Sequence, residues 1–192
     1  VINSNSAITA SPKLQSATFS SNGAYVTLAF SLSTNKAQLA DAFRCSALFS
    51  FIGVSDAVCL WIDSKTVRIT LFGASKVIVG STISMSTSSL NSVNKLKVAC
   101  PVNIACAASA SIDPAATVVV QKPDSPTIPL VLISAATSIG QCQPLTLDFS
   151  SSSGSAGRSW ESVSTRISST KSDNIDSVAS LISSGIQTSA QV

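Results

Sequence analysis

Five cysteines, an Asp-Ser run and a Gly-Arg turn are the residues of this chain whose types and spacing could do specific chemistry. The cysteines are Cys45, Cys59, Cys100, Cys106 and Cys142. No two form a CxxC pair, and the chain has no His to complete a zinc site. Disulfides in an oxidising, extracellular setting are therefore the expected use. Cys45 with Cys59 and Cys100 with Cys106 each close a short loop, and each bridge stabilises by about 2–3 kcal/mol in the chain-entropy model. Cys142 is left odd, as a free buried thiol or as a link to another segment or chain.

Asp148 stands near a strand end and is followed by Ser150 and Ser152. Such oxygens can hold calcium. Without a second acid nearby, they more commonly bond turn backbone. The serines from 150 to 155 have no His base to activate them. Gly154-Ser155-Ala156-Gly157-Arg158 lacks the Gly-Lys-Ser/Thr ending of a phosphate loop, so its glycines are expected to serve a turn with positive φ. Arg158 can meet an anionic ligand, a turn carbonyl or a nearby acid. With one Glu in the chain, Glu161, there is no acid pair for general acid–base work. The residues point to no enzyme, no cofactor and no metal.

Composition sets the elements that must carry these residues. Apolar residues make up 45% of the 192, and charged residues only 11%, well under the roughly 25% of ordinary domains. Ser supplies the polarity, at about one residue in five. Low charge with many hydroxyl and β-branched residues suits sheets. The net charge of +3 is small and its basic residues are scattered, which argues against nucleic acid. Residues 1–122 hold nine Lys/Arg and four Asp/Glu (+5), and residues 123–192 hold three and five (−2). That asymmetry favours head-to-tail contacts or is chance variation. No apolar run reaches the roughly 20 residues of a membrane span. The chain begins at Val1 without a signal sequence, as a processed product or a piece of something longer would. The Ser/Thr clusters at 81–89, 150–155 and 159–172 suit O-linked glycans or, equally, a solvated strand face; there is no Asn-x-Ser/Thr sequon.

Residues 1–12 read as an N-terminal arm or edge strand. Strands are expected over Leu14–Ser20 and Tyr25–Leu32, joined at Asn22-Gly23. In the second of these, Val26, Leu28, Phe30 and Leu32 share one face. Lys36–Phe49 suits a short helix or an irregular strand. Strands follow at Ala57–Ile62, at Val67–Leu71, over Val77–Met85, at Lys95–Val98 and at Thr117–Gln121, closing a first domain over 13–122. Pro123, Pro126 and Pro129 make 123–129 a stiff boundary. In the segment 130–192, strands are expected at Leu130–Ala136, Pro144–Phe149 and Val163–Ile167. A short helix capped by Ser172 and a last half-strand follow. Four or five strands fall short of the about seven of an immunoglobulin sandwich. The second domain is thus expected to be truncated or completed by another chain, with an open edge.

From Ile139 onward the chain resembles the receptor-for-egg-jelly (REJ) module of polycystin-type receptors and protist surface proteins. The matching residues are Ile139-Gly140-x-Cys142, Leu145-x-Leu147-Asp148, Ser150-x-Ser152-x-Gly154 and Gly157-Arg158-x-Trp160. The first segment resembles the domain that often precedes that module, through Pro12-x-Leu14, Asn22-Gly23, Cys45 and Cys59-x-Trp61-x-Asp63. The resemblance implies an all-β chain of two immunoglobulin- or fibronectin-like β-sandwich domains in tandem. One departure stands out. The module usually carries a core Trp near Thr165, whereas here Trp160 is the only Trp on that stretch. Two functions follow as expectations. One is a non-enzymatic extracellular or cell-surface subunit that forms a homo-oligomer or filament through its sheet edges. The other is a ligand-binding or adhesive ectodomain fragment of a polycystin-like receptor.

Overall fold

The computed structural model describes residues 11–72, 75–100, 110–140 and 143–155, with single positions at 164, 166, 168 and 176. The protein is all-β in its described residues and divides into two compact units, residues 1–128 and 129–192.

The first unit is an eight-stranded sheet. Its strands are β1 (Leu14–Phe19), β2 (Tyr25–Phe30), β3 (Ala42–Arg44), β4 (Phe49–Ser50), β5 (Ala57–Trp61), β6 (Thr66–Leu71), β7 (Thr82–Met85) and β8 (Thr117–Gln121), in the order β3-β5-β6-β2-β1-β8-β7-β4. All neighbours are antiparallel except β1 and β8, which run parallel through Ala17↔Val120 and Thr18↔Gln121. A flat sheet of eight strands would set its edges roughly 34 Å apart at about 4.8 Å per spacing. Here the two edges, β3 and β4, are separated in sequence only by a 3-10 turn, Cys45–Ala47, and Leu48. Five Cα steps cover at most about 19 Å, so the sheet must curl. Phe43 on β3 meets Phe49 on β4 at 6.4 Å between ring centres, where the two edges approach.

Period-two patterning explains which face is inside. Val26, Leu28 and Phe30 of β2 and Val67, Ile69 and Leu71 of β6 are all buried, while Tyr25, Thr27, Thr66, Arg68 and Thr70 alternate outward. Trp61 packs between Phe30 and Phe43, at 5.7 and 6.0 Å. The hairpin between β1 and β2 closes with Gly23 at φ 77 and with Asn22 Oδ1 accepting from the Ala24 N–H.

Three stretches depart from the expected elements. Lys36–Gln38 is a left-handed turn, with φ of 55, 52 and 61 at Lys36, Ala37 and Gln38. The 77–85 run forms a strand only from Thr82. Gly80 sits at φ 92 and the Ser81 hydroxyl accepts the Ile78 N–H, which ends any ladder before it. Lys95–Val98 forms isolated bridges, Thr34↔Val98 and Lys97↔Ser111, after a single helical turn, α1 (Leu90–Val93). At the end of the unit, the Thr127 N–H donates to the Ser21 carbonyl, so the proline-rich run is tied to the β1–β2 hairpin.

The second unit contains β9 (Ser134–Ala135) and β10 (Leu147–Asp148), which pair antiparallel, and an antiparallel bridge between Leu130 and Ser153. The strand expected at Val163–Ile167 and the helix expected after Ser172 lie outside the described stretches.

Candidate functional site

Most residues singled out by their chemistry serve structure. Cys45 opens the 3-10 turn after β3, and Cys59 lies on β5 opposite Phe43. The two form a disulfide with Cα atoms 5.0 Å apart, and both are fully buried. The bridge ties the turn that draws the sheet edges together to an interior strand. Cys100 is also disulfide-bonded. Its expected mate Cys106 lies outside the described residues, as do Cys142, Gly157, Arg158 and Trp160. Among the described residues, no group of three or more His, Cys, Asp or Glu is placed to hold a metal ion, and no helix is long and apolar enough to cross a membrane.

The Asp-Ser-Gly run acts instead on a neighbouring segment. Asp148, at the end of β10, accepts the Ser150 N–H on Oδ1 at 2.8 Å. That backbone bond, and then the Ser150 hydroxyl, hold its carboxyl below the usual value of 3.8. The carboxylate is occupied by its own turn. Ser152 uses its hydroxyl twice on one residue: it accepts the Leu132 N–H at 2.9 Å and donates to the Leu132 carbonyl at 3.0 Å. Ser153 exchanges two backbone bonds with Leu130, both at 2.9 Å. Gly154, at φ 104, lies where a Cβ would come within 2.7 Å of the Pro129 Cα, a contact that only a backbone shift relieves. The run 148–154 thus clamps one side of the segment 129–133, which leads into β9.

The other side of that segment is the candidate site. Successive residues of a strand turn their N–H and C=O to opposite sides. Leu130 and Leu132 spend theirs on Ser153 and Ser152. Among the described residues, no hydrogen bond uses the backbone of Val131 or Ile133. The side chains are exposed as well: Leu130 by 54%, Val131 by 63%, Leu132 by 44% and Ile133 by 58%. Four consecutive apolar residues of this size on the surface, beside unpaired backbone groups, make a template for another strand. The strand count of this segment leads to the expectation of an open edge, without pointing to Val131 or Ile133. The available signal was charge: residues 125–147 contain no Asp, Glu, Lys or Arg.

A second surface lies on the first unit. On the outer face of β3-β5-β6-β2, Arg44 lies in register with Val58, Thr70 and Tyr25, and Arg68 with Leu60 and Thr27. Arg68 stacks over the Tyr25 ring at 4.6 Å. Among the described residues neither arginine is salt-bridged; the one ion pair there is Lys36–Asp41.

Comparison with protein-family models, with curated proteins and with solved structures finds no match to this chain.

Proposed function

We propose that this chain is a non-enzymatic, extracellular structural module that self-associates through a sheet edge. The observation that carries the proposal is the Leu130–Ile133 edge, uncharged, exposed, and with no hydrogen bond to the Val131 and Ile133 backbone among the described residues. Natural edges are usually blunted by Lys, Pro or a bulge, and neither Val131 nor Ile133 is such a residue. An added strand satisfies these groups. The buried disulfide favours an oxidising compartment. The curled eight-stranded sheet and the Cys59-x-Trp61 strand favour an immunoglobulin-like, REJ-associated architecture. Exposed Ser and Thr leave room for O-linked glycans.

The test is sedimentation and light scattering of the full chain beside an Ile133→Lys variant, with electron microscopy of the assemblies. The wild type is expected to associate at micromolar concentration, and the variant at least tenfold more weakly. A wild type that stays monomeric at high concentration overturns the proposal.

One observation favours the second reading, a ligand-binding or adhesive ectodomain. Arg44 and Arg68 share a face that displays Thr and Tyr but no carboxylate in the paired positions, which suits an anionic ligand.

A further inference from the structure

We propose that the outer face of β3-β5-β6-β2 binds an extended polyanionic glycan, a chain of sugars that carries sulfate or carboxylate groups. This rests on the ligand-binding reading above and names its ligand. Arg44 is exposed on β3, and Arg68 is half-buried on β6. Arg44 lies in register with Val58 and Thr70, and Arg68 stands two positions from Thr70 on the same strand. Two strand spacings of about 4.8 Å and an offset of two residues of about 3.3 Å put the two Cα atoms roughly 12 Å apart. Arg68 leans further away, over the Tyr25 ring of β2 at 4.6 Å. With Arg68 held there, the two guanidiniums call for two anionic groups spaced along one chain rather than for a single compact anion.

Both charges are available. Among the described residues neither guanidinium makes a hydrogen bond or an ion pair. Three carboxylates flank the face at its strand ends. Asp41 is ion-paired with Lys36, Asp63 Oδ1 accepts the Lys65 N–H at 2.6 Å, and Asp56, just before β5, forms no ion pair with either arginine. A free guanidinium is a planar fork that donates to a carboxylate or sulfate through two bonds. The stack on Tyr25 restrains Arg68, so less freedom is lost when an anion binds. The rest of the face suits sugar. Thr27 lies opposite Arg68, and Tyr25 opposite Thr70; their hydroxyls make no hydrogen bond among the described residues, which leaves them for the hydroxyls of a glycan. β5, β6 and β2 are interior strands bonded on both sides, so over this face an acidic peptide meets side chains alone and no edge to pair with. Tyr25 is the one outward ring within these four strands, and Arg68 covers it, which removes the stacking platform that nucleobases need.

Calorimetric titration of the full chain at about 0.15 M salt tests this, with dextran sulfate, polygalacturonate, uncharged dextran and polyglutamate as probes. Dextran sulfate or polygalacturonate is expected to bind and uncharged dextran is not; whichever binds more tightly identifies the anionic group as sulfate or carboxylate. Arg44→Gln and Arg68→Gln are each expected to weaken that binding about fivefold. The same change of charge in Lys95→Gln, just after α1 and away from this face, is expected to leave it within about twofold. Tyr25→Ala keeps both arginines and is expected to weaken binding as well, because Arg68 loses its support. Near-UV circular dichroism of each variant checks that the first unit is folded. A loss in Lys95→Gln as large as in Arg44→Gln overturns the site, since the chain then binds through diffuse charge. Polyglutamate bound with both charged glycans refused overturns the glycan and leaves the ligand-binding reading standing. A chain that binds none of the four overturns both.

Discussion

Asn35 does more for the first unit than its place in a loop suggests. Its side-chain oxygen accepts from the Ala37 and Lys97 N–H groups at 3.1 and 3.0 Å, and its amide donates to the Lys95 carbonyl at 2.8 Å. Those bonds hold three consecutive residues in the left-handed region, where each non-glycine residue costs roughly 1–2 kcal/mol. Ala37 stays buried there. Asn35→Ala leaves a half-buried turn with orphaned N–H groups, and is expected to lower the unfolding free energy by about 2 kcal/mol in denaturant titration; a change below about 0.5 kcal/mol would mean that packing of Ala37 holds the turn. Asp148 gives a pH-dependent counterpart. The Ser150 N–H and hydroxyl depress its carboxyl in the folded chain below 3.8. Its contribution to the 148–151 turn is therefore complete above 3.8 and lost as pH falls through the lower, folded value. The Ser150 amide signal in NMR should titrate in step with the Asp148 carboxyl below pH 3.8, and Asp148→Asn should abolish that titration.

At the scale of elements, the crossing from β3 to β4 is the step that curls the sheet. The disulfide, with Cys45 and Cys59 separated by 14 positions, closes a loop worth about 3 kcal/mol in the chain-entropy model. The aromatic contact of Phe43 with Phe49 lies at the same crossing. Replacing both cysteines by Ala should reduce stability by about 3 kcal/mol, followed by near-UV circular dichroism. A loss below about 1 kcal/mol would assign the curl to packing alone. This pairing was legible from spacing. The strand it serves was not: Lys36–Phe49 carries no clean period, because Ala42, Phe43 and Arg44 form a short edge strand whose one half-buried residue, Phe43, reaches inward. The 77–85 run misled in the opposite sense. Its apolar residues read as strand, but Val77 is buried ahead of any strand, Ile78 and Val79 are exposed before the Gly80 turn, and within β7 Ile83 and Met85 alternate into the core.

At the scale of the molecule, ionic strength separates the association proposed through the edge from the head-to-tail contact expected from charge. Head-to-tail contact driven by the +5 and −2 halves weakens as salt screens it over about a Debye length. Pairing through the uncharged Leu130–Ile133 edge depends on backbone bonds and apolar burial, so sedimentation at 1 M sodium chloride should show association as strong as at 0.1 M or stronger. A large loss of association with salt would shift the contact to the charged surfaces, including the Arg44 and Arg68 face. The candidate site was legible in kind rather than in place. The Asp148, Ser152 and Gly154 turn chemistry could be read from residue types, since Asp, Ser and Gly bond or bend backbone locally. That Ser152, Ser153 and Gly154 clamp Leu132, Leu130 and Pro129, some twenty positions away, could not.

The sequence by itself determined the β class, the buried faces of β2 and β6, the Asn22-Gly23 hairpin and the Cys45–Cys59 pairing. Each of these depends on period-two alternation, turn propensity or short loop closure, which act over a few residues. Only the tertiary structure decided the parallel pairing of β1 with β8, the meeting of β3 with β4, the Asn35 bonds to Lys95 and Lys97, and the bonding of Leu130 and Leu132 to Ser153 and Ser152. Those arise from contacts between residues far apart in the chain, where many pairings satisfy the same local pattern and the packing of the whole sheet selects one.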